Sequence, residues 1–525
     1  MADWAENIDS GEFGKSTRGF LGMQIDPVVF FPTAIISLAV IVYSVLAPEQ
    51  SAKLFGDIRV WSTNTFDWFL MSAGNLLLLF CVVLALSPLG KIRLGGKGAT
   101  PDYSRLSWFS MLFGAGMGIG LVFYGVSEPV SHFANSMAGG PAAPLGGAAG
   151  DAATSRDLAM AATIFDWALH PWAIFAVAGL AMAVFAYDFG MPFTMRSAFY
   201  PLIGKSAWGR TGDVVEILAV FATIFGLASS LGIGAQQAMA GVTFLYGIPS
   251  SSMAILGLIA IMSLITFLSV RGGIDRGIRI LSELNMLMAV VLVLFILATG
   301  PALALLGDLA RNTFQYLWHL PALSNPVGRE DQGFYRDWSV FYWAWWISWA
   351  PFVGTFMARI SLGRTVREFI AGAMIAPSLL GIIWLTVFGD AAISGIVSGQ
   401  TPQIAKASLE TQLFELLGSL PLAQITSFAA VVLILVFFVT GWDSGTLVID
   451  TMTSGGRTET PLRQKVFWLF AVGGIGVVLL LSGGLNSLQA GAIATGLPLA
   501  LVLLLMCWGT LRGLLALHRR HLFED

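Results

Sequence analysis

Two groups of residues have types and spacings that could do chemistry. The first is Trp345-Trp346-Ile-Ser-Trp349-Ala-Pro351-Phe-Val-Gly354, which places three indoles within five residues. On a helix, residues 345 and 349 share a face and 346 lies about 100° away, so the three rings can wall a pocket. Trp167, Trp172 and Phe175, with His170 and Pro171 among them, form a second aromatic set. A cage of rings suits an onium centre such as a quaternary ammonium, held through ring quadrupoles at roughly 0.5–2 kcal/mol per ring. The same rings would also serve plain helix packing.

The second group is Gly114-Ala-Gly-Met-Gly-Ile-Gly120, four glycines at alternate positions. Gly114 with Gly118 and Gly116 with Gly120 fit the small-xxx-small pattern of close helix packing. Two interleaved pairs also suit a backbone that unwinds, freeing carbonyls for a cation and N–H groups for an anion. No Asp or Glu occurs in the glycine run or between Trp343 and Arg359. A net cation would find no counter-ion there, so the fitting ligand is a zwitterion whose carboxylate meets amides around Met117, Gly118 and Gly120.

These groups must be held by membrane helices. Of 525 residues, 56% are hydrophobic and only 11% charged, against roughly 25% charged in a soluble protein. Mean hydropathy is +0.77. Apolar runs of about 20 residues must be helices in lipid, because every backbone polar group there needs an internal partner. Twelve spans are expected, at 27–47, 66–88, 106–133, 158–187, 213–246, 252–270, 279–303, 337–361, 366–391, 422–452, 464–483 and 487–511. With the N-terminus inside, alternation puts 21 of the 28 basic residues on the cytoplasmic side, as the positive-inside rule requires of an even count with both termini inside.

Residues 1–20 lack the basic start and short apolar core of a cleaved signal peptide. The Gly- and Ala-rich stretch 137–153 reads as a mobile external loop, and 301–321 as an amphipathic helix along the outer surface. Cys81 and Cys507 each lie in an apolar run and give no disulfide framework. Trp61 and Trp318 suit the headgroup belt. The glycine-rich third span and the Trp/Pro-rich eighth stand five spans apart and cross in opposite directions. Paired interruptions of this kind point to a transporter of inverted repeats, its site near the midplane. Glu128, Asp166 and His170, near span ends or beside Pro, read as structural hydrogen-bonding groups ahead of the alternative, proton coupling. Asp443 is placed to cap the Thr440 and Ser444 hydroxyls or to tune an ion site, and Arg359, Arg364 and Arg367 to anchor the inner end of the eighth span or to form a cytoplasmic gate.

The run from Trp343 to Phe369, with Arg359, Arg364 and Arg367, and the motif Gly116-Met-Gly-Ile-Gly120 resemble the betaine/choline/carnitine transporter family from about Asp26 to Arg512. The resemblance implies an all-α integral membrane fold of 12 helices, a LeuT-like five-plus-five inverted repeat preceded by two helices, assembled as a homotrimer in a bacterial inner (plasma) membrane. It divides the chain into a cytoplasmic N-terminal segment (1–26), two leading helices (27–100), a first repeat of spans three to seven with the external amphipathic helix (101–320), a second repeat of spans eight to twelve (321–512) and a short cytoplasmic tail (513–525). It places substrate at Trp167, Trp172, Phe175, Trp345, Trp346 and Trp349, beside Met117, Gly118 and Gly120. Phe175 stands where betaine-type members have tyrosine, and Gly120 where choline carriers have aspartate.

The resemblance also implies sodium as the coupling ion and no organic cofactor. One site would use Gly114, Met117, Phe437 and Thr440, with Ser444 replacing a serine that is Gly441 here. A second would use Thr223 and Phe352, lacking a hydroxyl where Leu227 stands. The expected activity is symport of a zwitterionic methylated onium compound, glycine betaine or dimethylsulfoniopropionate, without osmotic activation because the tail is short. Competing readings are a proton-coupled symporter, a sodium-independent antiporter for choline or carnitine, and an ion channel. Neither a catalytic motif nor a phosphate loop supports an enzyme, no selectivity element recurs for a channel, and no nucleic-acid partner is expected.

Overall fold

A computed structural model of the chain describes residues 17–116, 118–272, 277–300, 302–457 and 459–524. Most of the expected N-terminal segment and Met117 therefore lie outside the described residues. The fold is all-α, 82% helical, apart from one hairpin of β1 (Arg18–Phe20) and β2 (Met23–Ile25). The main helices are α1 (Pro27–Leu46), α2 (Pro48–Leu86), α3 (Arg105–Gly116), α4 (Ile119–Ala138), α5 (Ala152–Trp167), α6 (Leu169–Phe189) and α7 (Arg210–Tyr246). They continue with α8 (Ser252–Gly272), α9 (Gly277–Thr299), α10 (Ala302–Leu323), α11 (Phe341–Arg359), α12 (Val366–Leu385), α13 (Ala423–Thr453) and α14 (Leu462–Glu524).

Local chemistry sets several boundaries. Asp26 caps α1 through the Val28 amide ahead of Pro27. Thr365 and Glu368 have the spacing of a capping box, and the Thr365 hydroxyl accepts from the Glu368 amide at 3.1 Å. Asp151 caps α5, and bonds from the Thr154 hydroxyl and amide hold its carboxyl below the usual carboxylate range. Gly190 and Gly247, both left-handed, stop α6 and α7.

Every expected span coincides with helix, and eight helices among the described residues are long and apolar enough to cross a bilayer. The differences arise at bends and breaks. The run 106–133 is split between α3 and α4, and 158–187 between α5 and α6. The runs 464–483 and 487–511 are limbs of α14, which kinks at Gly484 (φ 60°, ψ −142°). The second run starts earlier than expected, since α2 begins at Pro48 and bends at Phe66. The stretch 301–321 is helical as expected, in α10, which is bent by 116° from α9.

Two expectations are corrected. Stretch 137–153 is not a loose loop: Ala148 N bonds to Ser136 O, the Leu145 amide to Asp331 and Phe334 N to Pro141 O. These bonds stitch its glycine turns to the segment before α11. The eighth span is not interrupted, because α11 runs unbroken through Pro351. Pro351 removes one amide bond, yet Gly354 lets the helix sit so close to α6 that a Cβ there would lie 2.7 Å from Ala178 Cβ and 2.9 Å from Gly179 N. The helix continues through its missing bond in that close packing.

The segment Ala152–Phe189 lies innermost, with 94% of its most apolar window buried, against 33% for α1 and 22% for Ser252–Arg271. Trp61 and Trp318 are 59% and 68% exposed, as a headgroup belt expects. Arg196, between α6 and α7, is buried. Its guanidinium reaches Asp213 (2.9 Å), Asp26 (3.6 Å) and Glu216 (3.7 Å), joining the starts of α1 and α7. Removing it strands buried carboxylates. Arg196→Met is expected to lower stability by about 3–5 kcal/mol; an unchanged thermal midpoint in detergent would show that the hub is dispensable.

Candidate functional site

The aromatic residues singled out from the sequence converge between the α5–α6 break and α11. The break is at Ala168 (φ −94°, ψ −119°). Pro171 has no N–H to offer the Trp167 carbonyl four residues back. The indole of Trp172 donates to that carbonyl instead, at 3.2 Å, and the indole of Trp346 donates to the Asp166 carbonyl at 2.9 Å. Two of the cage rings are thus positioned by backbone that the break has released.

The rings pack at right angles or in stacks. Trp167 meets Trp346 edge-on at 5.0 Å and Trp345 at 6.5 Å. Trp345 and Trp346 stack at 5.0 Å, and Trp349 stands edge-on to Trp345 at 6.3 Å. Phe175 lies 6.0 Å from Trp346 and 5.7 Å from Trp172, in wholly aromatic company. The Trp345 and Trp349 indole N–H groups are buried without a hydrogen-bond partner, which leaves two donors for a carboxylate or water. The rings touch one another, so an onium headgroup enters between them only as side chains rotate.

The glycine motif breaks the helix beside these rings. Helix α3 ends at Gly116 and α4 restarts at Ile119, with Gly118 extended (φ −138°, ψ −145°). Gly120 faces the cage: a Cβ there would lie 2.9 Å from the Trp345 ring and 3.0 Å from Trp167. The restart also packs against α7 and α13, since a Cβ at Gly234 would lie 2.8 Å from Ile119 and 3.2 Å from Phe438.

Residues expected to bind an ion are spread over α3, α7, α11 and α13. Gly114 lies in the last turns of α3, and Met117 lies outside the described residues. Phe352 is buried against Trp349 at 5.7 Å. The Thr223 hydroxyl donates to Ala219 O, and that of Thr440 to Val436 O and Phe437 O. Asn285 of α9, absent from the expected set, points its amide at Thr440 Oγ1 from 3.5 Å. Ser444 is half-buried on α13. Asp443 does not cap Thr440 or Ser444; it accepts from Ser269 of α8 at 2.6 Å.

Other expectations resolve into partners. His170 bonds Asn75 and stacks on Trp343, a structural part. Arg364 bonds Glu368 and Tyr103 O while lying over Trp108. Arg367 holds Ala85 O, and Arg359 lies near the Phe193 ring. Glu128, beside Pro129, also hydrogen-bonds as expected. It lies inside α4, fully buried, and its Oε2 accepts from Trp167 Nε1 at 2.8 Å and from Tyr342 at 2.5 Å. Tyr342 stacks on Trp346 at 5.8 Å, and Tyr124 meets Trp345 at 6.1 Å. Helical spacing carries the signal for both: Tyr342 lies four residues before Trp346, and Tyr124 four after Gly120.

The family model described as BCCT, betaine/carnitine/choline family transporter, matches residues 28–519. The chain belongs to that family. This BCCT chain is 45% identical over 505 residues to a glycine betaine/proline/choline transporter of Vibrio parahaemolyticus, covering 95% of this chain and 91% of the relative. It is 44% identical to glycine betaine transporter 1 of the same organism, over 97% and 98% of the two chains. A glycine betaine transporter of Bacillus subtilis is 39% identical over 91% and 92%. The protein is a multi-pass membrane transporter and not an enzyme.

The closeness of Gly120 to two indoles makes a direct test. Gly120→Ala is expected to displace the Trp345 and Trp167 rings, costing about 1–3 kcal/mol by overpacking. The intrinsic tryptophan emission should shift with it; an unaltered spectrum and melting curve would mean that the rings are not held against this glycine.

Proposed function

We propose that this BCCT chain takes up a zwitterionic methylated onium compound, glycine betaine or its sulfonium analogue dimethylsulfoniopropionate, by sodium symport with alternating access. The observation that carries the reading is the convergence of Trp167, Trp345, Trp346, Trp349 and Phe175 in one aromatic cluster next to the broken glycine helix. Rings of this number supply onium attraction, and Gly118–Gly120 and the unpartnered indoles of Trp345 and Trp349 supply donors for a carboxylate. Relatives whose names specify glycine betaine support the same chemistry. The absence of acidic residues on α11 favours a zwitterion over choline.

Sodium suits carbonyl and hydroxyl oxygens of the kind that Gly114, Met117, Phe437, Thr440 and Ser444 offer, with Thr223 and Phe352 as a second set. Homotrimer assembly, twelve spans in a LeuT-like arrangement and cytoplasmic termini complete the proposal, the last supported by the basic-residue bias.

Uptake into proteoliposomes under separate sodium and proton gradients tests the coupling, with glycine betaine, the sulfonium analogue, choline and carnitine in competition. Equal uptake with neither gradient would sink symport in favour of exchange. Trp349→Ala removes one ring and is expected to weaken substrate binding about tenfold or more; undiminished binding would place the substrate elsewhere. A Cβ at Gly441 meets open space. Gly441→Ser should therefore restore a hydroxyl without strain and lower the sodium concentration for half-maximal uptake, whereas an unchanged sodium curve would detach this position from the ion.

A further inference from the structure

Outside the rings lies a cluster that the transport reading does not use. Glu128 and His132 of α4 and Asp166 of α5 are each fully buried, and one ligating atom from each lies within 4.8 Å of the other two. Glu128 Oε1 is 3.5 Å from His132 Nε2. Glu128 Oε1, both Asp166 carboxylate oxygens and both His132 nitrogens have no hydrogen-bond partner, and the buried Ser339 hydroxyl is also unpaired. His132 is walled by the rings of Phe334 (5.1 Å) and Trp338 (4.6 Å).

No Lys or Arg nitrogen lies within 4.0 Å of either carboxylate among the described residues. The cations on neighbouring elements are engaged: Arg329 with Asp331, Arg156 with Asp308 and Asp390, and Arg59 with Asp337. Among the described residues the phenol of Tyr342 donates to Glu128, and that of Tyr124 packs against Tyr342. Two carboxylates this close and this dry repel, and the arrangement is stable when a single positive charge lies between them.

We propose that Glu128, Asp166 and His132 form a proton-binding site that holds one proton between the two carboxylates and sets the position of the substrate cage. The proton adds to one carboxylate oxygen, whose O–H then donates to the facing carboxylate. Both carboxylates connect directly to cage rings. Glu128 Oε2 holds the Trp167 indole and the Tyr342 hydroxyl, while Asp166 immediately precedes Trp167 and its carbonyl holds the Trp346 indole. Losing the proton drives the carboxylates apart and carries Trp167 and Trp346 with them. Because the rings touch one another while the pair shares its proton, the deprotonated form is the one that admits substrate, so affinity rises as pH rises through the apparent pKa of the pair, and binding releases a proton.

The inference rests on the cage being the onium site, and the test separates the two. Glycine betaine binding to the purified full-length protein is followed by tryptophan fluorescence from about pH 6 to about pH 9. The expected result is about tenfold tighter binding at the alkaline end, the linkage of one proton over one pKa unit. Asp166→Asn, a neutral isostere, should bind with an affinity that varies less than about twofold over the same range. Wild-type binding without pH dependence, or Asp166→Asn retaining it, would overturn the proposal.

A second readout needs no substrate: the infrared carbonyl stretch of a protonated carboxyl should be present at neutral pH and absent in Asp166→Asn. If glycine betaine does not bind at all but this band behaves as stated, the transport reading fails and the proton site stands. If the band is missing and zinc or manganese alone tightens binding until chelated, the cluster is a metal site and the proton assignment is wrong.

Discussion

Backbone released inside a membrane protein must find a partner, and here the partners are indoles. Where the chain breaks at Ala168, the Asp166 and Trp167 carbonyls are taken by Trp346 and Trp172. An unsatisfied carbonyl at that depth costs several kcal/mol, so these bonds fix the rings as firmly as packing does. The aromatic cluster is therefore part of how the helix break is tolerated, and the break is part of how the rings face one another. Neither would persist alone.

A second break reinforces the first. At Gly118 the α3–α4 helix restarts with Gly120 against the ends of the Trp345 and Trp167 rings, a distance that only a residue without Cβ permits. Helix α11, in contrast, stays continuous through Pro351, where Gly354 sinks it into α6. The cage is thus built from one rigid helix and two broken ones. Rings in mutual contact at 5.0–6.5 Å require rotation before a headgroup can lie between them, and motion is easiest where the helical ladder is already interrupted.

Charge is handled by burial in company. Arg196 gathers three carboxylates where α1 and α7 begin, and Arg156 joins Asp308 to Asp390. The Glu128 cluster has no such cation within salt-bridge distance among the described residues. Its distance from the rings is one hydrogen bond.

The sequence alone determined the solvent, the helical class and the family, because hydropathy over 20 residues and an aromatic signature are local properties that need no neighbours to be read. It also singled out the rings of Trp167, Trp345 and Trp346, since their spacing and their distance from a span end are visible along the chain. Tertiary structure decided the rest. The order in 137–153 depends on Asp331 and Phe334, the close packing of α11 on Gly179, and the pairing of Asp443 on Ser269 of another helix. Glu128 reads as a structural hydrogen-bonding group until Asp166, 38 positions away, is folded against it. Partners such as these are supplied across helix interfaces, and only the fold brings those interfaces into being.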